Sequence, residues 1–224
     1  MKVMWLEQAS LLITAAGKKI LVDPYFSRCV EAENPSWPKR KDPPAWVWDI
    51  RPDVLVFTHD HIDHCDPETF PRILASREKI LVLCSPSTWD RACAFGGSHN
   101  YIRFARHAEW TEGGVRISAV KAEHSDPAPI GVLIEAEGKT VWVSGDTLFS
   151  SEIPADLPER IDVAFFPVNG VGNNMNAVDA KRLADAAGVK RVVPLHVGMY
   201  DSLTPDVYPG DEKWVLTPYK EYEL

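Results

Sequence analysis

The feature that most restricts the fold is an echo inside the chain. Leu12, Ile13, Ala15, Gly17, Lys18 and Val22 recur with the same spacing as Leu133, Ile134, Ala136, Gly138, Lys139 and Val143. In each copy two short apolar runs flank a glycine, the pattern of a two-stranded hairpin. Strands are expected over residues 3–6, 10–15 and 19–22 in the first copy, and over 115–120, 131–136 and 140–143 in the second. The echo continues downstream, where Asp53-Val54-Leu55-Val56-Phe57 matches Asp162-Val163-Ala164-Phe165-Phe166. Both are continuous apolar runs, suited to strands buried on both faces. Each precedes an expected helix, at residues 67–76 and 177–187, and a further strand, at 80–84 and 191–195. Asn176 as N-cap, Asp179 three residues on and Gly188 as a stop mark the second helix. The pattern predicts one domain over 1–224, made of related halves at about 1–114 and 115–224. Each half is a sheet with helices on one side. Packed face to face, they form a four-layer α/β/β/α sandwich whose strand-end loops meet at one edge.

One stretch has no counterpart. Residues 27–49 carry Pro35, Pro38, Pro43 and Pro44, three tryptophans (Trp37, Trp46, Trp48) and the basic run Lys39-Arg40-Lys41. Proline at this density argues against regular structure. Such a segment serves either as a surface loop pinned by its tryptophans or as a lid over a site. The pinned loop is the expectation here.

The chemistry concentrates directly after the strand ending at Phe57. Thr58-His59-Asp60-His61-Ile62-Asp63-His64-Cys65-Asp66 holds three histidines and three carboxylates, in a chain with only seven histidines. Imidazole and carboxylate together suit divalent zinc or manganese, and are also compatible with iron or nickel. On an extended loop His59, His61 and Asp63 would project to one side and His64 to the other, which can feed two neighbouring metals. His124, Asp146 and His196 each follow an expected strand, so the fold would deliver them to the same edge.

Composition limits the partners. The 224 residues carry a formal net charge of −8, opposite to the basic field of a protein that tracks nucleic-acid backbone. No apolar run reaches membrane-spanning length, and Glu7 interrupts the N-terminus before a signal-peptide core develops. Cys29, Cys65, Cys84 and Cys93 form no C-x-x-C pair, which suits free thiols in a cytoplasmic protein. The expected partner is a small-molecule substrate, with neither nucleic acid nor membrane, and with room for a homo-oligomer.

The motif T-H-x-H-x-D-H, followed by a distant histidine, G-D-T at Gly145–Thr147 and P-x-H at Pro194–His196, resembles the metallo-β-lactamase-fold hydrolases. Trp5-Leu6-Glu7-Gln8-Ala9-Ser10, Asp23-Pro24-Tyr25-Phe26, Gly172-Asn173-Asn174-Met175-Asn176 and the segment 194–200 are similar to the branch containing the ascorbate-6-phosphate lactonase. The resemblance implies that His59, His61 and His124 hold one metal. Asp63, His64 and His196 would hold the other, with Asp146 bridging. Two such ions lie about 3.5–4 Å apart and share a hydroxide that attacks a carbonyl or phosphoryl group. Asp63 is the candidate leaving-group acid if one metal is bound. Asp23, Asp60 and Asp66 are expected to support the histidines, and Cys65 to fill space. His99 and His107 match no motif position. Glu7 stands where relatives often carry glycine, so a different first turn is expected. The chain is also shorter than the sugar-phosphate lactonases.

These features predict a metal-dependent hydrolase of a small ester or lactone, with a sugar-phosphate lactone as one version. The alternatives are a phosphodiesterase of the same fold, a metal- or ligand-binding protein without turnover, and a di-iron redox protein.

Overall fold

The computed structural model describes residues 1–37, 40–75 and 79–224. Pro38 and Lys39 of the proline-rich segment, and Ser76 at the end of the first expected helix, lie outside them. The first sheet begins with β1 (Lys2–Trp5), β2 (Leu11–Ala15) and β3 (Lys18–Val22), joined as antiparallel neighbours. After the short helix α1 (Cys29–Glu33), β4 (Val54–Phe57) runs parallel to β3. Helix α2 (Thr69–Leu74), β5 (Leu81–Cys84), helix α3 (Trp89–Ala94) and β6 (Asn100–Arg103) complete the first pass. The second sheet consists of β7 (Glu109–Glu112), β8 (Val115–Lys121), β9 (Ile130–Ala136), β10 (Lys139–Val143), β11 (Val163–Pro167) and, after helix α4 (Ala177–Ala186), β12 (Val192–Leu195). A last strand, β13 (Glu221–Glu223), returns to pair with β1.

The strand orders are β13-β1-β2-β3-β4-β5-β6 and β12-β11-β10-β9-β8-β7. Strands β1 to β5 and β8 to β12 therefore share one sequence of pairings: antiparallel, antiparallel, parallel, parallel. The echo extends to detail. The β2–β3 hairpin turns through Ala16 and Gly17, at φ 47° and 78°, and the β9–β10 hairpin through Glu137 and Gly138, at 54° and 70°. Both are two-residue turns with left-handed central residues, whose twist matches that of the flanking strands. The two turns also touch, since Ala16 N donates to Glu137 Oε1 at 2.6 Å. Asp53 accepts from Lys19 N at 2.7 Å, and its counterpart Asp162 accepts from Thr140 N at 3.0 Å. Strand β7 precedes residue 115 yet pairs with β8, and β13 follows it yet pairs with β1.

Period-2 alternation sorts the side chains into layers. Ile13, Ile20, Val22, Val54 and Val56 meet Ile117, Val132, Ile134, Val143 and Phe165 between the sheets. Leu55, Phe57 and Val82 point outward onto Phe70, Ile73, Leu74 and Ala92 of the first sheet's helices. Trp142, Ala164 and Phe166 likewise meet Ala180, Leu183 and Ala184 of α4. This is the expected four-layer arrangement. Each fully buried aliphatic side chain contributes roughly 1.5–3 kcal/mol. Asn176 caps α4 as expected, accepting from Val178 N and Asp179 N.

The proline-rich segment is more ordered than expected. It contains α1 and a 3-10 turn at Ala45–Asp49, both in stretches free of proline except at their borders. Trp48 packs edge-on against Phe26 at 5.7 Å and Trp46 against Tyr219 at 6.1 Å. Trp48 pins the segment, as expected, whereas Trp46 stays 42% exposed. Trp37 leans instead on Tyr200, at a ring-centroid distance of 5.4 Å.

Asp162 offers a test of the strand start. Burial pushes its carboxyl up, but hydrogen bonds from Thr140 N, Arg160 and Lys190 outweigh it and bring the group down to about 2. A depressed carboxyl stabilises the fold above its unfolded value near 4, and that contribution fades as the pH falls toward 2. Asp162→Asn should therefore cost about 1 kcal/mol at neutral pH. The gap to the parent should close between pH 4 and 2, as read from urea midpoints.

Candidate metal centre

All the chemistry-bearing residues leave the C-terminal ends of strands. Asp23 follows β3, His59 follows β4, His124 lies beyond β8, Asp146 beyond β10 and His196 directly after β12. The segment from His59 to His64 is not the extended loop expected from its sequence. His64 N and Cys65 N both bond to His61 O, at 3.0 and 2.8 Å, so the chain coils into a tight turn. Coiling places His59, His61 and His64 on the same side, with the His59 and His64 rings 4.0 Å apart.

Among the described residues, donor atoms gather into three sets, each within 4.8 Å: His59, His61 and His124; Asp63, His64 and His196; and Asp23, His59 and His64. The first two coincide with the two expected ligand groups. Asp146 sits between them, 3.4 Å from His64 Nε2, 3.2 Å from His196 Nε2 and 3.9 Å from His124 Nε2. All seven residues singled out from the sequence thus come together.

The third set has a different purpose. The Asp23 carboxylate accepts from Thr58 N at 2.8 Å, Thr58 Oγ1 at 2.5 Å and His64 Nδ1 at 2.9 Å. Thr58 Oγ1 in turn lies 3.0 Å from His59 Nδ1. One buried carboxylate therefore orients two imidazoles, as outer-shell carboxylates do in metal sites. His124 Nδ1 faces Asn173 O at 3.0 Å. With Nδ1 engaged in each case, Nε2 is the nitrogen turned toward the cluster.

The chemistry of these donors fits divalent metal. Among the described residues, His59 Nε2, His64 Nε2 and Asp146 Oδ1 are buried without any hydrogen-bond partner. Orphaned buried polar atoms are costly in a folded protein, and these three, two from the loop after β4 and one from beyond β10, belong to a donor cluster able to hold a metal ion.

Charge follows the same geometry. Burial and the neighbouring His64 and His124 lower the pKa of His59. Burial works against charge on His64 as well, but Asp146 and Asp63 outweigh it and hold its pKa well above the ordinary value. His196 is pushed up to about 10 against its burial by Asp146 and Asp63.

The sequence alone assigns no role to several participants. Gln8 Nε2 donates to Asp63 Oδ2 at 3.0 Å and touches the His196 ring at 3.1 Å. Asn174 donates to Asp146 Oδ2 at 2.8 Å, and Asn169 meets His196 Nδ1 at 3.1 Å. Polar loop residues of this kind carry no signature until the fold places them. Two expected supports act elsewhere. Asp66 accepts from Phe26 N, Ser27 N and Thr69 N, fixing the start of α2 rather than a histidine. Asp60 pairs with Arg91 at 3.2 Å. Asp23, Cys65 and His99 behave as expected. Cys65 is buried in the outer core, and His99 lies 2.7 Å from Leu74 O.

Backbone strain collects here. Glu7, Gln8, Asp23, Asn173 and His196 all adopt positive φ, between 45° and 70°, a region that non-glycine residues rarely enter. Glu7 therefore takes the conformation that glycine favours, held by Arg40 at 3.3 Å and by Tyr219 Oη at 2.9 Å. At Gly145 a side chain is excluded, because its Cβ would lie 2.8 Å from Ile130 O and 2.9 Å from Thr58 Cβ. That approach lets the Asp146 loop close against the Thr58 loop.

The family model for the beta-lactamase superfamily domain matches residues 18–197. The chain belongs to this superfamily. It is similar to a UPF0173 metal-dependent hydrolase of Ligilactobacillus salivarius, 28% identical with 100% of both chains covered. A UPF0173 protein of Pyrococcus furiosus is 26% identical, again over 100% of both chains. Among solved structures, the metallo hydrolase Igni18 of Ignicoccus hospitalis superposes with a TM-score of 0.79 at 19% identity, covering 100% of this chain and 98% of that one. At that identity the likeness is one of fold, and it agrees with the sandwich described above.

If Asp23 orients His64 and the Thr58–His59 pair, Asp23→Asn should lower metal affinity about 10–100-fold without unfolding the protein. Competition against a chromophoric chelator reads this directly. Parental affinity in the folded variant would remove Asp23 from the site.

Proposed function

We propose that this chain is a metal-dependent hydrolase of small esters or lactones, similar in its chemistry to the ascorbate-6-phosphate lactonase-like branch. The observation that carries the reading is the set of buried, unpartnered donor atoms from both halves, beneath a cleft that His61, Asp63, Asp146 and His196 line. His59, His61 and His124 would hold one divalent ion, and Asp63, His64 and His196 a second, with Asp146 shared between them. Zinc and manganese suit this mixed imidazole and carboxylate set, and iron or nickel is compatible with it. Bound ions supply Lewis acidity and acidify water, so a nucleophile is available at neutral pH.

The remaining work falls to the chain. Asp23, Thr58, Asn169 and Asn173 hold the imidazoles in their coordinating orientation. Gln8 fixes one oxygen of Asp63, which lines the cleft. Burial works against charge on this carboxylate, but His64 and His196 hold it well below the usual range. It would take the proton lost by the attacking water and pass it to the leaving group when only one ion is bound. Residues 1–224 act as a single catalytic unit, because His124, Asp146 and His196 complete a site begun by His59–His64. The four free cysteines suit a reducing compartment such as the cytoplasm. Among the described residues, no helix is long and apolar enough to cross a membrane.

Chelation should abolish hydrolysis of aryl esters and lactones, and zinc or manganese should restore it. His196→Ala and His64→Ala should lower metal content alike and reduce turnover by more than about 100-fold. Ester hydrolysis by a preparation shown to be metal-free would sink the proposal. Faster turnover of bis(4-nitrophenyl) phosphate than of any ester or lactone would shift it to phosphodiester chemistry.

A further inference from the structure

The donor cluster opens into a cleft of about 720 Å³, large enough for a small organic molecule. One wall is the proline-rich segment, through Val30 and Trp37. Val171 and Asn173 of the loop after β11 line the cleft too, as does Tyr200. Trp37 therefore does not pin its segment to the core. Its ring leans on Tyr200 at a centroid distance of 5.4 Å and stays 47% exposed, while Val171 is 63% exposed. Apolar surface held open beside a polar centre marks a place for apolar ligand atoms.

Away from the donor cluster, charge along the walls is one-sided. There the cleft is lined by Glu33, Asp60 and Asp201, and by no lysine or arginine among the described residues. The nearby guanidinium groups are already engaged. Arg40 is buried, donating to Tyr25 O at 2.7 Å and pairing with Glu7, and Arg91 pairs with Asp60. A phosphate group carried at a distance from the scissile bond is normally gripped by such cations. Here it would face carboxylates and aromatic rings.

We infer that the substrate is an uncharged ester or lactone whose apolar or aromatic substituent packs against Trp37, Tyr200 and Val171, and that phosphorylated substrates are disfavoured. The inference rests on the proposed hydrolase function for the bond that is cleaved. The substituent preference is a property of the cleft and can be measured without turnover.

The test is calorimetric titration of protein with confirmed zinc content, using three hydroxamates that share one metal-binding group. Acetohydroxamate has no substituent to speak of, benzohydroxamate has an apolar ring, and 4-phosphonobenzohydroxamate has a ring with an anionic end. Benzohydroxamate should bind at least 10-fold tighter than each of the other two. Trp37→Ala should erase most of its advantage over acetohydroxamate while leaving acetohydroxamate itself unchanged. Val171→Lys, an exposed site that should fold normally, should improve the phosphono compound at least 5-fold. Equal or tighter binding of the phosphono compound to the parent protein would overturn the inference. So would a benzohydroxamate advantage untouched by Trp37→Ala, or failure of all three to bind. The predicted ligand order without hydrolysis of any ester would sink the hydrolase function alone.

Discussion

The inner faces of the two sheets pack against each other through a continuous layer of valine, isoleucine and leucine, and the position of every donor atom follows from that contact. Val22, Val56, Val143 and Leu195 lie in this layer, at or near the ends of the strands that deliver Asp23, His59, Asp146 and His196. Slipping any one of these strands by a single residue against its neighbour in the sheet would turn its apolar side chains out of this layer, because side chains alternate with period two. The apolar layer therefore sets the register, and the register sets the site. The two hairpin turns, joined through Ala16 and Glu137, tie the same contact at the far end of the strands.

On that frame the polar groups are arranged at some cost. Five non-glycine residues around the cluster sit at positive φ, and three donor atoms are buried without partners. Each is unfavourable by itself. They are offset by the Asp23–Thr58–His64 network, by Arg40 and Tyr219 on Glu7, and by the absence of a side chain at Gly145. Metal binding would remove the remaining deficit, which couples occupancy of the site to stability of the rim.

Much of this was legible in the chain. The hairpin echo marked the matching strands, the apolar runs at Val54–Phe57 and Val163–Phe166 marked strands covered on both faces, and Asn176 marked the start of α4. The histidine-rich turn after β4 was visible because four donor residues fall within six positions. Edge elements were not visible. Strands β6, β7 and β13 are short and largely exposed, so no apolar alternation announces them. Their existence depends on a neighbouring strand offering hydrogen bonds, which is tertiary information.

The sequence by itself determined which residue types could bind metal and which strands would carry them, because ligand chemistry and side-chain period are local properties. Tertiary structure decided the rest. It coiled His59–His64 into a turn rather than an extended loop, gave Asp23 two imidazoles to hold, and gave Asp66 the start of α2. It also set Trp37 in the lining of the cleft while Trp48 packed on the body. Those outcomes depend on distances between residues far apart in the chain, and only the packing of one sheet on the other specifies such distances.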